Sequence, residues 1–145
     1  MYEILLAVHL LAAVVWVGGS VAMTVIGTRM NADERIAAAP HFNWFGAKVI
    51  PAAAGVLLLA GFGLMSEIDA SFGDAWISIA FAIWIISAIF GVVVFGRAGK
   101  EIEAAVAAGD RGTADRAYTR LLTVARIDTT LVLLAVVDMA LKPGA

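Results

Sequence analysis

The sequence predicts an all-α, integral-membrane four-helix bundle, up-down-up-down, on three observations. Of the 145 residues, 62% are hydrophobic and 15% charged, where a soluble domain has about 45–50% and about 25%. Four apolar runs, at about 4–28, 44–66, 75–97 and 119–141, each reach the roughly 20 residues that a helix needs to cross a bilayer. The charges gather in the connections between them. Backbone in hydrocarbon must satisfy its own hydrogen bonds, so each run should be helical. The chain, 1–145, reads as a single transmembrane domain with a mean hydropathy of +0.94.

The first run contains "HLLAAVVWVGGSVAM", His9 to Met23. It does not read as a signal peptide. Met1-Tyr2-Glu3 brings an acid instead of a base, and the apolar stretch outruns a signal core of about 7–15 residues. In the first connection, "GTRMNADERIAAAPHFNW", Asn31 followed by Glu34 predicts a capping box, and Pro40 is expected to end any helix there. Pro51 lies one to two turns inside the second run and should kink or loosen it. The second connection, "SEIDASFGD", is short and acidic. The third begins with an Ala/Glu/Lys-rich stretch that favours helix. Asp110-Arg111-Gly112 should break it, and Thr113 should cap a helix running into the fourth run. Helices three and four are thus expected to extend beyond the bilayer as a cytoplasmic helical hairpin.

The positive-inside rule orients the chain. Arg29 and Arg35 lie in the first connection, and Arg97, Lys100, Arg111, Arg116 and Arg120 in the third. The second has Glu67, Asp69 and Asp74 and no base. The expected location is the cytoplasmic (inner) membrane, with both termini on the periplasmic side. Small residues (Gly18, Gly19 and Ser20; Ala52 to Gly55, Gly61 and Gly63; Ala88 and Gly91) should let helices approach closely.

Several functions are excluded. A formal charge of −2 and no basic cluster argue against a nucleic-acid partner. With no cysteine, disulfides, thiolate metal sites and Fe–S clusters are ruled out. No nucleotide-binding glycine loop is present, and no serine has a histidine base beside it.

Intramembrane ionisable residues are costly, so each asks for a reason. His9 shares a helix face with Ala13, Trp16, Ser20 and Met23. It is either a neutral imidazole bonded to a neighbouring helix or a metal or haem ligand. His41, the other histidine, belongs to the opposite membrane face, so one chain has no bis-histidine site. Asp138 lies near the level of His9. It either pairs with Lys142 at i+4 or accepts a hydrogen bond from His9, orienting the ring. Arg126 and Asp128 point to nearly opposite sides of the fourth helix. Lys48 is the expected partner of Asp128, giving a Lys48–Asp128–Arg126 charge cluster. That cluster is either a network fixing helix order or an anion, quinone or proton site.

The stretch from His9 to Met23 resembles the opening helix of small bacterial four-helix membrane proteins, in which histidine, tryptophan and glycine recur as H-x6-W-x-G. They include a widespread family of uncharacterised predicted integral membrane proteins, which the closing "DMALKPG" also resembles. The layout is similar to the membrane domain of copper-resistance protein D and to HemJ-type protoporphyrinogen oxidase. The HemJ resemblance implies haem b on His9 and a basic residue for an acidic tetrapyrrole. The third run has no lysine, so Lys48 or Arg97 would have to serve. The copper resemblance implies metal uptake or tolerance, although soft ligands are sparse here.

Three function classes follow. The first is haem-b electron transfer or tetrapyrrole oxidation, with His9 as ligand, Asp138 as its orienter and Trp16 shaping the pocket. The second is an accessory subunit of a larger membrane complex. The third is an oligomeric solute or ion transporter using Asp128, Arg126 and Lys48. The lipid bilayer is a partner in all three.

Overall fold

The computed structural model describes residues 1–144 and is entirely helical, as expected. Four antiparallel helices follow one another: α1 (Tyr2–Arg29), α2 (Ala32–Glu67), α3 (Ala75–Ala107) and α4 (Arg111–Leu141). The first three are long and apolar enough to cross a membrane. The fourth, 31 residues long, packs against α1 and α3. The fourth apolar run lies within it but carries four charges, Arg120 near its start and Arg126, Asp128 and Asp138 further in.

The turn between α1 and α2 follows from side-chain chemistry. The amides of Asp33 and Glu34 each donate to Asn31 Oδ1 at 3.0 Å, and the Asn31 amide donates to Glu34 Oε2 at 2.8 Å. This is the expected capping box. Pro40 does not end the helix. It sits inside α2, which runs on unbroken to Glu67. A proline removes one N–H and crowds one carbonyl, and here the neighbouring turns carry the helix past it. The loosening expected near Pro51 takes the form of a π-helical turn at Phe45–Val49, directly before it. Similar wide turns occur at Val14–Gly18 in α1 and Phe90–Phe95 in α3. Such turns occur as single widened turns inside α-helices.

The break before α4 falls earlier than expected. Helix α3 ends at Ala107, and Gly109 reverses the chain at φ 72°, a left-handed value that suits glycine. Asp110, not Thr113, is the cap. Its carboxylate accepts from the Thr113 amide at 2.9 Å and from the Thr113 hydroxyl at 2.7 Å. Arg111 and Gly112 therefore lie inside α4, because an aspartate three residues before a threonine closes the turn on both of its donors.

Because Pro40 is accommodated, the extension is more than a hairpin. The first turns of α2 pack against the last turns of α3 and the first of α4. Ala39, Ile102, Ala117, Tyr118 and Leu122 form a core there. Arg35 ties this end together. Its Nη1 meets Asp115 at 3.3 Å, its Nε donates to the Gly27 carbonyl at 3.3 Å, and its guanidinium lies 5.7 Å from the Tyr118 ring centre. Arg120 pairs with Glu101 at 2.6 Å, and Arg111 pairs with Asp33.

A second core lies in the apolar half, around Trp16, Ala53 and Val132. Close approach of α1 and α2 depends on glycine there. A Cβ on Gly19 would come within 2.9 Å of Phe45 and Ile50, and one on Gly63 within 3.0 Å of Leu5. Gly18, Gly55 and Gly91 face open space, so only part of the small-residue pattern serves helix contact.

Candidate functional site

His9 is half-buried on α1 and turned towards α2. Its Nδ1 lies 3.0 Å from the Leu57 carbonyl oxygen. A carbonyl only accepts, so Nδ1 carries the hydrogen. Nε2 is then the nitrogen with a free lone pair in the neutral ring. Gly61 makes room for the imidazole: a Cβ there would be 3.3 Å from Cε1 and 3.5 Å from Nδ1. The face shared by His9 and Trp16 does look inward. Trp16, two turns on, is only 6% exposed and forms the core with Ala53 and Val132.

Asp138 does not orient His9. The N-terminal half of α1 packs on α2, while the outer end of α4 packs on α3. The imidazole hydrogen goes to Leu57 instead. Nor does Asp138 pair with Lys142. The Lys142 amide bonds the Asp138 carbonyl at 2.8 Å as the helix ends, and its ammonium lies 5.1 Å from the Trp76 ring centre. Asp138 Oδ2 is buried with no hydrogen-bond partner.

The Lys48–Asp128–Arg126 cluster does not assemble. Among the described residues none of the three enters an ion pair. The reason is helix rotation. Lys48 is exposed and lines a groove of about 520 Å³ between α1 and α2, with Val8, Val15, Val49 and Val56 around it. Arg126 is also exposed, and its Nη2 reaches Thr28 Oγ1 at 3.5 Å. Asp128 faces inward, is 5% exposed and lies against Ser87 of α3. Its Oδ1 is buried without a partner.

Three residues near Asp128 escape the sequence reading. Thr24 and Thr129 share a hydrogen bond of 2.9 Å between α1 and α4, and Ser87 joins from α3. Each is a small hydroxyl within an apolar run. A metal site of three or more His, Asp or Glu side chains does not occur among the described residues.

What the arrangement offers chemically is one imidazole with a free nitrogen and, apart from it on α4, two carboxyl groups with a buried, unpartnered oxygen, Asp128 and Asp138. No curated protein and no solved structure matches the chain. One family does, over residues 3–142, nearly the whole length, as the opening and closing motifs led one to expect. The chain belongs to DUF2269, described as predicted integral membrane proteins, and is a multi-pass membrane protein of that family.

Proposed function

We propose that the protein carries a b-type haem in the membrane, with His9 as its protein ligand, and serves electron transfer. The observation that supports this is the bond from His9 Nδ1 to the Leu57 carbonyl at 3.0 Å. Ligating histidines typically donate their far nitrogen to a carbonyl or carboxylate, which fixes the ring and raises its basicity. Leu57 supplies what was expected of Asp138. Gly61 leaves room on α2 for the ring to make that bond. What supports the reading is one imidazole from this chain, its Nδ1 hydrogen fixed on Leu57 and its Nε2 left for a metal.

When bound, such a group supplies one-electron redox chemistry, tuned by its axial ligand and by the polarity around it. The chain's own part is to hold the imidazole in one tautomer, fix its rotation and exclude water. Trp16 and its neighbours build the dry core beside it.

The test is an absorption spectrum of the detergent-purified protein, from haem-supplemented cells, oxidised and then dithionite-reduced. A Soret band with one haem per chain is expected, lost in His9→Ala and restored by added imidazole. A colourless protein of full helical content would return His9 to helix packing. The chain would then read as an accessory subunit of a larger complex, to be sought by pull-down.

A further inference from the structure

The buried polar side chains among the described residues are Thr24 on α1, Ser87 on α3, and Asp128 and Thr129, successive residues of α4 that face these two helices. Thr24 and Thr129 spend their hydroxyls on each other at 2.9 Å. Ser87 lies against the Asp128 carboxyl. Asp128 Oδ1 has neither exposed surface nor partner. An ionised carboxylate in such surroundings is unfavourable unless a cation compensates it.

The elements packed around Asp128 bring no such cation. Helix α3 carries no titratable residue from Trp76 to Phe95. On α1, Glu3 and His9 lie towards the far end, and Arg29 ends the helix. Lys48 of α2 lies in the outer groove. On α4 itself, Arg126 is exposed and reaches Thr28. Metal cations of the calcium or magnesium type need about six oxygens. Two of the hydroxyls here are already paired, so the cation that fits is a proton, which needs one lone pair.

We propose that Asp128 is an intramembrane proton-binding site, protonated at neutral pH and reached from the Arg29 end past the Thr24–Thr129 pair. Thr28 lies one turn nearer that end and turns its hydroxyl back to the Thr24 carbonyl at 2.7 Å. Beyond it stands the exposed Arg126. Carboxyl groups placed this way in membrane proteins serve as proton relays. The site stands on its own observations, whether or not His9 binds haem.

The experiment is infrared spectroscopy of the full-length protein in lipid nanodiscs at neutral pH. A carboxylic-acid carbonyl band is expected that shifts with ¹³C-aspartate labelling, shifts down in D₂O, disappears in Asp128→Asn and persists in Asp138→Asn. Thr24→Val should slow hydrogen–deuterium exchange of this band about tenfold. A wild-type protein without such a band at neutral pH overturns the proposal. So does a band that survives Asp128→Asn, or one abolished by sodium chloride but not by potassium chloride, which would make the site a sodium site. Unchanged exchange in Thr24→Val overturns the route. If Asp128→Asn does not fold, Asp128→Glu keeps the test decisive: the band should move and lose its ¹³C-aspartate shift, and an unmoved band overturns the proposal.

Discussion

Around Tyr118, where the ends of α2, α3 and α4 meet, small and aromatic side chains are enclosed by ion pairs, and each new helix starts on a side-chain cap. Around Trp16 the same helices meet with few charges, close glycine contacts and wide π-helical turns. The difference is one of solvent. At the first end water competes for every polar group, so caps and apolar burial both stabilise. In the second, lipid is as apolar as leucine, and association depends on close packing and on the few polar groups that find each other. One chain thus uses two sets of rules within single continuous helices.

Overfilling the Tyr118 end should produce the largest effect and show whether the two regions unfold together. Ala117 is wholly buried and Ala114 is 1% exposed. Ala117→Leu should destabilise by about 1–3 kcal/mol, the usual cost of extra methylenes in a filled core. The measurement is thermal unfolding in detergent, with limited proteolysis near Gly109 as a local probe. Early cutting there, with the helices otherwise intact, would mean that the regions melt separately. A single shifted transition would join them.

Arg35 comes next. It bonds to both α1 and α4 and faces Tyr118. Its side chain is mostly buried, at 19% exposure, while that of Asp115 is 38% exposed. Arg35→Ala should cost about 1–2 kcal/mol, less than a fully buried charged bond because one partner is solvated. The loss should appear as faster amide exchange at the C-terminus of α1. The Asp33–Arg111 pair makes the contrast. Both side chains are well exposed, and the double alanine variant should change stability by under about 0.5 kcal/mol. Equal losses at the two sites would remove burial as the deciding variable.

These two regions were also unequally legible in the sequence. Asn31 and Glu34 announced their cap because capping is local: three residues contain the whole interaction. Pro40 misled for the same reason, since its local preference was outweighed by packing of the first turns of α2 on α3 and α4. Four helices could be read from hydropathy, but their rotation about their own axes could not. That is why Lys48, Arg126 and Asp128 appeared to be partners and are not. His9 was visible as an imidazole in an apolar run, but its partner is a backbone carbonyl, which leaves no residue signature. Thr24, Ser87 and Thr129 passed unnoticed because membrane hydroxyls commonly bond the preceding turn, as Thr123 does to Thr119 and Thr130 to Arg126. Nothing in the sequence distinguishes those from the ones that bond across helices.

The smallest effect concerns the cap of α4 and is a matter of pH. Two bonds from Thr113, its hydroxyl first and its amide second, hold the Asp110 carboxyl below the usual aspartate range. A carboxyl depressed in the folded state contributes stability above its unfolded pKa, near 4. That contribution fades as pH falls through the folded value. Protonation removes the charged acceptor at a helix N-terminus, where negative charge is favoured. Acidification below about pH 4 should therefore speed amide exchange at Thr113 and its neighbours before the apolar half responds. Asp110→Asn separates charge from geometry. Asparagine caps about as well as aspartate, so the start of α4 should persist and its local acid sensitivity should vanish. If exchange at Thr113 still rises with acid in Asp110→Asn, the sensitivity belongs to another carboxylate at that end, and Asp33, Glu101 and Asp115 in their ion pairs become the groups to replace.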